Sequence, residues 1–174
     1  MRIAIYPGTF DPIHCGHMDI ARRAAALFDR LILAVYSRPN KRLLFSTEER
    51  IRLTQEALCD IPNLEIRPYN GLTVTFARSV GATVLVRGLR VISDFELEYQ
   101  MALTNRQLAS ELETICLMTR QEHAFLSSSI VKEVFLSGGD VAQMTAANVI
   151  EAMAQKREIL NRTQEPVPLI SLRD

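Results

Sequence analysis

Lysine is nearly missing from this sequence. Only Lys41, Lys132 and Lys156 carry an ammonium, so arginine supplies most of the 20 positive charges. Arginine's planar fork suits bidentate contacts to phosphate or carboxylate, and each rare lysine becomes worth placing individually. An excess of either sign is also absent, since Lys plus Arg and Asp plus Glu each sum to 20. That balance argues against a protein whose main task is wrapping nucleic acid or lying on an anionic membrane, so any basic site must be local. Cysteine is scarce. Cys15, Cys59 and Cys116 have neither paired nor CxxC spacing, which indicates no disulfide framework and no zinc knuckle and suits a reducing cytoplasm. Long apolar runs are lacking too: MRIAIYPG is too short for a signal peptide, and nothing approaches the ~20 apolar residues of a membrane span.

What the chain does have is a core. Its 174 residues are 48% hydrophobic, enough for one well-buried domain. Apolar, β-branched runs recur at 3–6, 31–36, 64–66, 83–86 and 114–118, with helical periodicity between them. Runs such as LILAV and TVLV show no polar alternation and need both faces covered, which predicts a doubly wound α/β domain around a parallel sheet. Helix signals punctuate it. Ser46-Thr47-Glu48-Glu49 has capping-box spacing and opens a helix to about residue 60 before Pro62. Further helices are expected at 72–80 before Gly81, at about 94–109, after Ser127-Ser128-Ser129 as far as Gly138-Gly139, and at 148–160. The domain is therefore assigned to 1–160, with 161–174, containing Pro166 and Pro168, as a tail.

The stretch YPGTFDPIHCGH follows the first strand, and in a doubly wound sheet ligands bind beyond the carboxyl ends of strands. Gly8 permits close backbone approach, Thr9 offers N–H and hydroxyl donors, and Gly16-His17 opens a helix whose free N–H groups favour an anion. His14 and His17, three apart, can share a face and each donate an imidazole N–H to a phosphate oxygen. A bare H-x-G-H is weak in isolation, and simple capping or a stray metal would explain it equally well. Its position between a strand and a helix favours phosphate. Arg87-Gly88-Leu89-Arg90 follows the fourth strand, so two guanidinium groups can converge on the same crevice. Lys41, in the loop after the second strand, can close over phosphates. Ser127, Ser128 and Ser129 put three hydroxyls at a helix start, where capping accounts for one. Glu98 is a candidate for the nucleotide ribose, against the ordinary reading of an exposed helix face.

G-T-F-D-P-x-H-x-G-H resembles the signature of the nucleotidyltransferases that share a fold with class I aminoacyl-tRNA synthetases. Together with RPNK, FSTEER, FARSVGATVLVRGLR, DFELEYQMALTNR, ELET and FLSSSIVKEV in order, it resembles the bacterial phosphopantetheine adenylyltransferases from residue 3 to about 160. The resemblance implies a Rossmann-like five-stranded sheet and transfer of AMP from ATP to 4′-phosphopantetheine, giving dephospho-coenzyme A and pyrophosphate. It further implies that Thr9 and Phe10 touch ATP, as do Gly88, Leu89, Arg90, Glu98 and the segment His123, Ala124, Phe125, Leu126, Ser127, Ser128, Ser129. Thr9, Lys41, Leu72 or Thr73, and Arg87 would hold phosphopantetheine, while His17 would stabilise the transition state. Mg²⁺ on the phosphates, a hexamer of two trimers and inhibition by coenzyme A are implied in the same way. His123 stands where many members carry Trp, Leu97 where Tyr is frequent, Leu126 for the usual Ile, and Thr73 where an apolar residue is common.

The implied reaction explains why no nucleophile elbow and no acid–base pair stands out. A phosphate monoester has its second pKa near ~6, so the attacking oxygen is already ionised at neutral pH. Positioning and charge remain, and His17, Lys41 and Arg90 are the candidate catalytic groups. The alternatives are a transferase acting on nicotinamide mononucleotide, FMN or glycerol phosphate, against which RGLR and DFE argue, or a nucleotide-sensing module that binds ATP without reacting. An RNA-binding synthetase fragment is disfavoured by the neutral charge.

Overall fold

Five strands form: β1 (Ile3–Gly8), β2 (Arg30–Tyr36), β3 (Leu64–Tyr69), β4 (Val84–Leu89) and β5 (Glu113–Met118). They make one sheet in the order β3-β2-β1-β4-β5, and every pairing is parallel. The computed structural model describes residues 1–39 and 43–163. Lys41 and residues 164–174 of the expected tail lie outside the described residues.

Helices cover both faces, as the unalternated strands require. Leu31, Ile32, Leu33, Ala34 and Val35 are wholly buried. On one side they meet a core that includes Ile20 and Ala24 of α1 (Cys15–Ala25), Leu53 of α2 (Thr47–Ala57), Val131 of α5 (Ser128–Leu136) and Met153 of α6 (Ala147–Thr163). On the other, Val74 and Ala77 of α3 (Thr73–Ser79) pack with Ile5, Ile32 and Leu85. The fourth helix, α4 (Ile92–Leu108), runs 17 residues without one buried side chain. A 3-10 turn at Gln121–His123 precedes α5.

Strand order reverses at β1, which has β2 on one flank and β4 on the other. The crevice beyond the carboxyl ends of β1 and β4 is therefore the topological switch point, where doubly wound sheets bind ligands. Several boundaries differ from expectation. β3 continues through Pro68 to Tyr69, which an edge strand tolerates because a proline's missing N–H breaks no interior ladder. α4 starts at Ile92, before the expected 94, with Asp94 in its first turn; α6 continues past 160 to Thr163.

Candidate active site

The loop between β1 and α1 shapes the crevice through close approaches. At Gly8 a Cβ would stand 2.7 Å from the Phe10 ring, so the glycine lets that ring fold back onto the strand end. Its role is packing under the loop as much as access for a ligand. At Gly16 a Cβ would lie 3.1 Å from the His14 ring, which ties the glycine of H-x-G-H to the first histidine. The two imidazoles stack at 3.7 Å, and the Phe10 ring meets His17 edge-on at 4.9 Å. The histidines are not equivalent. His14 is buried, and burial, with the charges of Arg90 and His123 adding, pushes its pKa down to about 3. It is thus a neutral imidazole stacked on His17, and both rings border the cavity. Helix α1 begins without a side-chain cap; its Cys15 N–H donates to Met144 O at 2.8 Å, and Gly16 and His17 of its first turn line the cavity.

The loop is held from behind. The Asp11 carboxylate accepts from the N–H groups of Leu44 and Phe45 and from Lys132 Nζ at 2.8 Å. Thr145 Oγ1 donates to Ile13 O at 2.7 Å, and Ser128 Oγ donates to Pro12 O at 2.9 Å. Of the three serines expected to face a polyphosphate, Ser127 accepts from Ile130 N as N-cap and keeps its own proton to donate, while Ser128 spends its proton on the loop. Ser129's hydroxyl has neither duty among the described residues.

The arginines are pre-ordered. Arg87 grips Glu98 through Nε at 2.6 Å and Nη2 at 2.5 Å, and donates to Pro7 O at 3.0 Å. Arg90 donates to both oxygens of Asp94 and, through Nη1, to Leu126 O at 2.8 Å. Such bidentate pairs fix guanidinium planes. Glu98, expected at a ribose, is thus an arginine's partner at the cavity wall. Asp94 is a site residue that sequence reasoning did not single out, although its spacing of four from Arg90 at a helix start was a usable signal.

These groups line one open cavity of about 510 Å³. It brings together Thr9, Phe10, His17, Thr73, Arg87, Gly88, Arg90, Glu98, Ser127, Ser128 and Ser129 of the expected set. Leu89 and Leu126 are buried behind it, and His123, Ala124 and Phe125 lie outside its wall. Leu72 faces a neighbouring cavity of about 270 Å³ that shares Tyr36, Tyr69 and Thr73 with the first and is otherwise lined by Gly71, Val74, Met101, Thr104, Asn105 and Leu108. Leu72 and Thr73 were expected on the acceptor side, but the annex itself was not legible, because its wall comes from the ends of β2 and β3, the start of α3 and the far turns of α4. Tyr69 Oη and Thr73 Oγ1, 3.1 Å apart, sit where the two cavities join. Among the described residues no cluster of three metal-ligating side chains occurs.

The crevice lies at the switch point of a five-stranded parallel sheet, and the cytidylyltransferase-like family model, which matches residues 5–134, places the domain among the nucleotidyltransferases. A putative nicotinate-nucleotide adenylyltransferase from Vibrio parahaemolyticus shares the fold, with a TM-score of 0.67 over 88% of this chain and 99% of that one at 16% identity. Within this class the chain belongs to the phosphopantetheine adenylyltransferase family. It is 48% identical over 153 residues to the phosphopantetheine adenylyltransferase of Roseiflexus sp. (strain RS-1), covering 88% of this chain and 96% of that one. It is 47% identical over 167 residues to that of Heliobacterium modesticaldum, covering 96% and 99%.

Proposed function

We propose that the protein transfers the adenylyl group of ATP to 4′-phosphopantetheine, giving dephospho-coenzyme A and pyrophosphate. The observation that carries this reading is the pair of joined cavities. The larger is polar and arginine-rich, sized for nucleotide and phosphates; the annex beyond Tyr69 and Thr73 is mostly apolar, with an amide at Asn105, and suits a pantetheine arm. An acceptor phosphate at their junction stands next to the nucleotide.

The step needs no protein base. The acceptor's phosphate oxygen attacks the α-phosphorus of ATP, the bond to the bridging oxygen breaks, and pyrophosphate leaves with its electron pair. His17, the first turn of α1, the Ser129 hydroxyl and Arg90 meet the charge that gathers on the equatorial and leaving oxygens, and Lys41 is assigned the same task. Their value lies in being ordered beforehand: His17 by its stack on His14 and the edge of Phe10, Arg90 by Asp94 and Leu126. Thr9, Phe10, Gly88, Arg90, Glu98 and Ser127 to Ser129 line the nucleotide side, with Leu89 and Leu126 behind them; Thr9, Thr73 and Arg87, with Leu72 in the annex, make the acceptor side, to which Lys41 is also assigned.

Mg²⁺ would fit this donor set as a companion of the substrate. The cavity's carboxylates, Asp94 and Glu98, are each engaged by an arginine, so the ion would arrive with the substrate phosphates and would supply charge to offset theirs. The described helices include none long and apolar enough to cross a membrane, and we assign the protein to the cytoplasm. We also assign it a homohexameric state through the apolar side of α4, and coenzyme A as an inhibitor that occupies the product's place.

The test is an acceptor panel. Purified protein with ATP and Mg²⁺ is given phosphopantetheine, nicotinamide mononucleotide, FMN or glycerol phosphate, and pyrophosphate is followed. Release with phosphopantetheine alone is expected; release only with another acceptor would overturn the assignment.

A further inference from the structure

Arg50, on α2, is the largest of the fully buried side chains, 1% exposed, and does not line the cavity. Among the described residues its guanidinium touches no carboxylate. Nη1 donates to Thr9 O at 2.7 Å and to Tyr36 O at 2.9 Å, Nη2 donates to Thr47 Oγ1 at 3.0 Å, and Nε is buried without a hydrogen-bond partner among those residues. Burial lowers its pKa, with the charge of Asp11 acting in the opposite sense. A buried cation held by neutral oxygens costs stability, and a neutral side chain would fill the space at lower cost.

What it holds explains its presence. Thr9 and Tyr36 sit at the carboxyl ends of neighbouring strands β1 and β2, and both line the cavity. The residue after Thr9 is Phe10, with φ at +51°, a left-handed conformation that a bulky side chain rarely adopts and that surroundings must impose. In a trans peptide the carbonyl and the following N–H point to opposite edges. Fastening the Thr9 carbonyl to a guanidinium beneath the cavity therefore turns the Phe10 N–H toward the open side.

We propose that Arg50 is a positioning residue for nucleotide binding: it fixes the Thr9–Phe10 peptide so that the Phe10 N–H faces the cavity as a phosphate donor. Its charge, left without a carboxylate in contact, adds to the attraction for an anion there. The proposal rests on the adenylyl-transfer reading of this cavity.

Arg50→Met and Arg50→Lys in the full chain test it, with the dissociation constant for ATP measured calorimetrically beside the KM for ATP. Both are read at a temperature where circular dichroism shows each variant fully folded, since an unfolded fraction in equilibrium would itself raise the apparent constants. Loss of a charge-organised donor predicts that Arg50→Met raises both by about tenfold or more, and that Arg50→Lys, which keeps the charge and reaches one carbonyl, is weakened by only about threefold. ATP affinity within about twofold of the parent in both variants, with only the melting temperature lowered, would show a purely structural bolt and overturn the proposal. Should Arg50→Met fail to fold, Arg50→Lys decides: about threefold weaker ATP binding supports the proposal, and unchanged binding overturns it. A parent protein that binds ATP yet never adenylates phosphopantetheine would refute the reaction instead, and the ATP comparison at Arg50 would still stand.

Discussion

At the residue scale the two histidines divide a task that their spacing presents as shared. Both rings border the cavity, but His14 is nearly all buried and held neutral, with His17 stacked between it and the Phe10 ring. His17→Ala should fold and bind ATP, yet lose roughly 10²–10³ in kcat, the usual cost of removing one preorganised donor to a transition state. Steady-state kinetics beside circular dichroism checks this. For His14 the folded pKa of about 3 lies below the ordinary value of 6.5, so between these pH values the unfolded chain binds the extra proton. Its contribution to stability is complete above about pH 6.5 and drains away as pH falls toward 3. Melting temperature followed from pH 7 to 4 should therefore fall less steeply in His14→Gln than in the parent, the carboxylate contributions being common to both. The motif itself was legible because its residues are contiguous. What it hid was burial: nothing local says that one imidazole is nearly all covered while the other stacks on it, or that Ser127 caps a helix and Ser128 gives its proton to a loop carbonyl.

At the element scale, short-range chemistry was read well and long-range partnership poorly. The capping box of α2 is present in both directions, because Ser46 and Glu49 need only each other. The rhythm of apolar runs gave the five strands for the same reason. The Asp11–Lys132 pair, by contrast, joins residues 121 positions apart, and Lys132 reads in sequence as one more helix lysine. It fastens α5 to the loop between β1 and α1, and through Asp11 to the segment after β2. Lys132→Met should leave a buried carboxylate with its charge unanswered and destabilise the fold by about 3–5 kcal/mol, measured by urea unfolding. Adding Asp11→Asn to that variant should recover part of the loss. A Lys132→Met protein as stable as the parent would mean that the pair holds nothing in place.

At the scale of the whole molecule, the switch-point crevice followed from topology, which the unalternated strands already imply. The annex did not, since it needs the turn of α3 against the end of α4 in three dimensions. The same helix carries Ile92, Phe95, Leu97, Tyr99, Met101 and Leu103 exposed, with Phe95 and Tyr99 stacked at 5.8 Å. These exposed apolar side chains are what the proposed contact between chains would cover. Phe95→Glu should shift the light-scattering mass to smaller species at micromolar concentration, and an unchanged mass would take α4 out of the interface.

The central claim is that this one cavity joins an adenylyl group to a pantetheine phosphate. ATP labelled with ³²P at the α-phosphorus tests it most directly, with the parent protein and His17→Ala run side by side. The account predicts label appearing in dephospho-coenzyme A with the parent and only a trace with the variant. Label that stays in ATP, or passes to AMP without ever entering the acceptor, would contradict it.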